Sequence, residues 1–148
     1  MVNRTYIVEM DEYKSTDFRD LESIATRNLE ACTAVVTYTP FKGTLSHLTN
    51  ISNLNNFFRW LQENVQPGTN AYITGGMDEK SEWLVGELEK GVLTARLNLV
   101  GKNVLGPYRR HIELTNIGTL YIEKFRQWMN AAREIEDMPM GMDKVCLD

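Results

Sequence analysis

The run Thr33-Ala34-Val35-Val36-Thr37-Tyr38 is the strongest constraint on what this chain can become. β-branched and aromatic side chains crowd a helix but suit a pleated strand. Pro40 and Gly43 bracket a turn just beyond it. Residues 44–49 then read as the next strand, antiparallel to the first.

The rest of the chain is ordered around this hairpin. Residues 5–10 alternate loosely and predict a first strand. Polar, acidic residues follow to about Ser23, as a loop or a short helix containing Phe18 and Leu21. Ser52 or Asn53 caps a helix to about Val65, with Leu54, Phe57, Phe58, Leu61 and Val65 on one face. Pro67-Gly68 stops it. Residues 71–74 make a short strand that Gly75-Gly76 breaks. Asp78 caps a second helix to Lys90, ended by Gly91, with Trp83, Leu84 and Leu88 as its apolar stripe. Residues 93–100 form a strand ended by Gly101. Residues 110–114 and 119–122 face each other across a turn and predict a hairpin. A last helix spans 125–138, with Trp128, Met129, Ala132 and Ile135 facing inward, and a tail follows. This order predicts an α/β fold: a single-domain α/β sandwich whose mixed, mostly antiparallel sheet is packed by helices. One domain covers 1–148, with 123–148 as a C-terminal helix and tail.

The chain has 148 residues, enough for one domain with a full core. With 43% hydrophobic and 24% charged residues, it is neither disordered nor fibrous. Net charge is -4, and Arg109-Arg110 is the only basic pair that stands out. A broad nucleic-acid surface is not indicated; two arginines are weak evidence for an acidic partner. No run approaches the roughly eighteen apolar residues of a membrane span, so no membrane insertion is expected. The opening MVNRTYIVEMDEYK has no apolar signal core. A cytoplasmic protein is the expectation, and secretion by a route needing no such peptide would look identical. Cys32 and Cys146 are free thiols or one bridge. GxGxxG, P-loop, HExxH and paired CxxC motifs are missing from the sequence. Neither a cofactor nor a metal is expected.

Cys32 stands at the start of the apolar strand and His47 near the end of the next. A thiolate attacks and an imidazole nearby takes the proton. The simple hairpin has a difficulty. If Thr39 pairs with Thr44, His47 falls opposite Val36. It then stands about 13 Å along the strand from Cys32, at about 3.4 Å per residue. Catalysis needs about 3 Å, so a bulge, a bent strand start or a different pairing is required. Taken alone, a cysteine at a strand start is more often a small buried hydrophobe.

Thr26-Arg27-Asn28-Leu29-Glu30-Ala31-Cys32, followed by Thr33 to Tyr38 and Pro40, resembles the chemoreceptor glutamine deamidases called CheD. In that family a threonine sits six residues before the catalytic cysteine, and a strand with a Tyr-x-Pro end follows. Gly43-Thr44-Leu45-Ser46-His47 is similar to the stretch bearing the family's histidine. Ile73-Thr74-Gly75-Gly76, Gly101 to Gly106, and the hairpin from Arg109 with its turn at Gly118 extend the likeness. It covers roughly residues 24–122. The same arrangement occurs in bacterial toxins that deamidate host glutamines.

The resemblance implies a bacterial protein-glutamine deamidase with Cys32, His47 and Thr26 as its catalytic residues. Its substrate would be a chemoreceptor or, for an effector, a host protein. Glu30, Ala31, Gly75 and Gly76 would line the substrate site. The chain departs from the family at Leu29-Glu30-Ala31, where small residues are usual. Glu30 adds charge near the entrance and would suit a basic partner. An inactive, protein-binding member and a transglutaminase-like amide-transfer enzyme are the alternatives. His111, alternating with Ile112 and Leu114, is expected to face solvent, and Cys146 is expected to be a thiol without a role.

Overall fold

The computed structural model describes residues 4–19, 23–77 and 79–148. Its strands are β1 (Thr5–Ile7), β2 (Tyr13–Asp17), β3 (Ser23–Leu29), β4 (Thr33–Tyr38), β5 (Lys42–Ser46), β6 (Asn70–Gly75), β7 (Asn98–Val104), β8 (Arg109–Thr115), β9 (Thr119–Met129) and β10 (Ile135–Cys146). Its helices are α1 (Leu54–Asn64) and α2 (Glu82–Thr94). The strands form two five-stranded sheets, in the orders β1-β3-β8-β9-β10 and β2-β5-β4-β6-β7. Only β1–β3 and β6–β7 pair in parallel. The fold is therefore mixed α/β and mostly antiparallel, as the order of elements predicts.

Alternation along β4 explains the layers. Ala34, Val36 and Tyr38 face the first sheet and pack with Ile24, Leu29, Ile112, Leu114, Leu120 and Ile122. Val35, on the opposite face, joins Ala71 and Ile73 against Phe57, Leu61, Leu84, Leu88 and Val92 of the helices. A strand buried on both faces needs apolar residues at every second position on each side, and the Ala-Val-Val stretch supplies them.

Several boundaries differ from the sequence reading. Polar residues 13–17 form β2, which pairs at the sheet edge with β5. Leu21, read as part of a loop or short helix, and Asp78, read as a cap, lie outside the described residues. Helix α2 runs through Gly91 to Thr94. Gly91 is small because Phe58 of α1 lies against it: a Cβ there would come within 2.1 Å of that ring. Trp83 is exposed, and Val85 and Val92 complete the buried face in its place. No helix among the described residues is long and apolar enough to cross a membrane.

The largest correction concerns the helix expected at 125–138. The segment is a long β-ribbon, with Met129 opposite Ile135 and Trp128 opposite Glu136. Asn130 explains the change. Its side-chain oxygen accepts from the Ala132 and Glu134 N–H groups, each at 2.9 Å, and its own N–H donates to Glu134 O at 2.9 Å. Local bonds of this kind compete with helix and close a turn. The apolar residues spaced like a helix stripe are exposed on the ribbon instead.

Candidate active site

The β4–β5 connection decides whether Cys32 and His47 can meet. Thr39 pairs with Lys42, N–H to O in both directions at 2.9 and 3.2 Å, leaving a two-residue turn of Pro40 and Phe41. Proline presets the turn's first central position. Gly43 is not in the turn but inside β5, where a Cβ would press 2.5 Å from the Phe18 ring. Val36 thus faces Leu45, and Thr33 bridges Leu48 in the same register. His47 falls opposite Ala34, not Val36. Cys32 is two residues along that face, a diagonal neighbour about 7 Å away by strand rise. The pairing roughly halves the separation of about 13 Å, and the ladder is irregular before His47, where the Ser46 hydroxyl takes the Val35 N–H at 2.8 Å.

Thr26 comes from the opposing sheet. Its hydroxyl donates to Val8 O at 2.6 Å and lies 2.8 Å from His47 Nδ1. A hydroxyl has one proton. With that proton on Val8 O, Thr26 can only accept from the ring, so Nδ1 carries hydrogen and Nε2 keeps its lone pair. Nε2 is buried and has no hydrogen-bond partner among the described residues. The His47 backbone is clamped at both ends: His47 N–H donates to Glu12 O at 2.9 Å, and Asp11 N–H donates to His47 O at 2.7 Å. Val8, Asp11 and Glu12 act through backbone atoms, so no side-chain pattern announces them.

Neither Cys32 nor His47 favours its charged form. Burial pushes the Cys32 thiol above its ordinary value, and the charge of Glu30 adds to the push. Burial holds His47 below the usual imidazole value. Both shifts disfavour a standing thiolate–imidazolium pair. The Cys32 thiol and Nε2 share no hydrogen bond. Such bonds often tighten only when substrate is bound.

Gly75 and Gly76 lie under Cys32. Gly76 N–H donates to Cys32 O at 2.8 Å, and a Cβ on Gly75 would sit 2.5 Å from the same oxygen. Both adopt positive φ, +115° and +81°, which glycine tolerates best. Arg110 holds this corner and is fully buried. It donates to Gly76 O at 3.0 Å, Leu105 O at 2.7 Å and Asn103 Oδ1 at 3.2 Å. It therefore offers no surface charge to an acidic partner. Arg109 is ion-paired with Asp137.

His111 is half-buried rather than solvent-facing. Its Nδ1 accepts the Asn28 N–H at 3.1 Å, fixing the bulge of β3 where Asn28 takes a φ of +59°. Arg27 and Asn28 of that bulge join Ile7, Val8, Glu9 and Met10 around a cleft of about 380 Å³ above His47. Exposed Glu30 and Ala31 complete the loop into Cys32. Cys146 is exposed at the end of β10 as a free thiol. Among the described residues, no three His, Cys, Asp or Glu side chains converge as metal ligands.

Acid should loosen this arrangement. His47 and His111 are both held below the usual imidazole value. Burial is the main cause for each, and Arg109 adds to it at His111. The unfolded chain therefore binds protons that the folded chain refuses. Their contribution to stability is full above about pH 6.5 and declines as pH falls toward the depressed folded values. The melting temperature should fall between about pH 7 and pH 5.5, a window above that of the carboxylates. The fall should shrink in a His47→Asn, His111→Asn double variant. An identical fall in both proteins would contradict this assignment.

A scan against models of known protein families matches none of them, and a comparison with curated proteins finds no significantly similar one.

Proposed function

We propose that the protein hydrolyses the side-chain amide of protein glutamines to glutamate and ammonia. The observation that carries this reading is the Thr26–His47 hydrogen bond. With the Thr26 proton committed to Val8 O, Nε2 is left as a buried base, unpartnered among the described residues. The register of β4 and β5, carried on to Thr33 and Leu48, supports bringing that base toward Cys32. The resemblance of residues 24–122 to the deamidases supports the substrate class.

In this mechanism Cys32 Sγ attacks the amide carbon as its proton passes to His47 Nε2. A neutral pair suits transfer during attack, with the base free and the thiol still holding its proton. The tetrahedral oxyanion falls to the Ala31 and Cys32 N–H groups. The neighbouring amides are engaged: Thr33 N–H with Leu48 O and Gly76 N–H with Cys32 O. Imidazolium returns the proton to nitrogen, the C–N bond breaks and ammonia leaves a thioester. Water, deprotonated by His47, attacks the thioester and releases glutamate and the thiol. The sum is amide plus water giving acid plus ammonia.

The test is ammonia release from glutamine peptides, with the amide-to-acid mass change read on the same peptide. Added primary amine separates hydrolysis from transfer: a product carrying the amine would mark an amide-transfer enzyme. Thr26→Val keeps the volume but cannot accept from Nδ1–H. It should lower kcat/KM about a hundredfold, and Thr26→Ser should restore most of it. Equal losses in both variants would remove the hydroxyl from the mechanism. A folded wild-type protein that releases no ammonia would favour the partner-binding alternative.

A further inference from the structure

Glu30 is the one charged residue on the loop between β3 and Cys32, and it is exposed. No cation pairs with it among the described residues. It lines a cavity of about 180 Å³ with Met77, Pro107, Arg109, Arg126 and Gln127. Two of these are cations, and they differ. Arg109 is neutralised by Asp137. Arg126 is exposed on the ribbon, with no carboxylate paired to it among the described residues. Glu30 is thus an open carboxylate two residues from Cys32, which does not itself line this cavity, and Arg126 is the opposing charge on the ribbon side of it.

The geometry points to Glu30 as a specificity-determining residue: it selects a cationic side chain adjacent to the glutamine that enters at Cys32, and Arg126 limits that preference on the ribbon side. The inference rests on the deamidase reading for its substrate and names the sequence class that reading leaves open. An unpaired negative charge beside a thiol opposes its ionisation, and the Cys32 thiol feels this one. A lysine or arginine docked on Glu30 cancels that charge. Docking the right neighbour therefore also eases deprotonation of Cys32, coupling recognition to attack.

The experiment labels Cys32 in the full chain carrying Cys146→Ser. The reagents are a trimethylammonium-ethyl and a sulfonato-ethyl methanethiosulfonate. In each case the thiolate displaces a sulfinate and forms a mixed disulfide, so the two differ mainly in charge. The cation-to-anion rate ratio, normalised to a small free thiol, should exceed unity. It should drop about tenfold in Glu30→Gln and rise in Arg126→Gln. Peptides acetyl-Ala-Lys-Gln-Ala-amide and acetyl-Ala-Glu-Gln-Ala-amide are then compared for ammonia release. The lysine peptide should be preferred by wild type and lose its advantage in Glu30→Gln. A ratio indifferent to Glu30, or a Cys32 that neither reagent reaches, overturns the proposal. Turnover of both peptides without preference overturns it and leaves deamidation standing. A Glu30-dependent ratio with no ammonia from either peptide keeps cation selection at Cys32 and removes deamidation.

Discussion

Cys32→Ala should abolish ammonia release, by at least about a thousandfold, in a chain that still folds. The substitution removes one sulfur from a side chain packed beside Ala34, at a cost of about 1 kcal/mol. It leaves Thr26 on Val8 O and Gly76 on Cys32 O, because neither bond uses the sulfur. His47→Ala should be nearly as damaging to turnover, since His111, the other imidazole of the chain, is engaged by the Asn28 N–H. The pH dependence separates two versions of the site. Cys32 is held up chiefly by burial and then by Glu30, and His47 is held down by burial. Alkylation of resting Cys32 should therefore climb toward alkaline pH, beyond the usual thiol value of about 8.5. A fast plateau below neutral pH would mean a standing thiolate–imidazolium pair and would contradict the electrostatics described above. Retention of full ammonia release by Cys32→Ala would sink the mechanism outright.

Arg110→Met should destabilise the protein by about 3 kcal/mol, near 10 °C in melting temperature for a chain of this size. Arg110 is among the largest fully buried side chains. It bridges Gly76 O, Leu105 O and Asn103 Oδ1, so methionine would leave buried acceptors without donors. Arg110→Lys should recover only part of the loss, because one ammonium cannot reproduce the fork that spans two carbonyls. Urea unfolding of the three proteins measures this directly. A neutral Arg110→Met would show that water satisfies these carbonyls. The same substitution should slow Cys32 labelling or make it heterogeneous, since Gly76 holds the Cys32 carbonyl.

Much of the fold was legible where side chains repeat a simple period. Residues 33–38 read as a strand because β-branched residues face both layers. Asn53 caps α1 through its side chain on Asn56 N–H, as its residue type suggests. Strands β2 and β3 were hidden by polarity: Lys14, Ser15 and Asp17 lie at an edge, and Arg27-Asn28 sits on a bulge. The ribbon was misread because Trp128, Met129, Ala132 and Ile135 suit a helical face as well as a hairpin. Asn130 decides between them through backbone bonds. Within the candidate site, Thr26 and His47 could be named from spacing and family likeness. Their contact could not be derived, because it crosses from one sheet to the other. Val8 and Arg110 were beyond reach for different reasons. One contributes only a carbonyl, and the other looked like surface charge.

The order in which these parts lie along the chain has its own consequence. Val8, Thr26, Cys32 and His47 all belong to the first third, yet Gly76 holds the Cys32 carbonyl and Arg110 holds Gly76. β3 also pairs with β8, far downstream. During synthesis Cys32 and His47 emerge early, but the contacts that hold the Cys32 carbonyl form only once the residues around Arg110 have left the ribosome. A nascent chain stalled before that point carries Cys32 without the Gly76–Arg110 support that fixes its carbonyl in the finished fold.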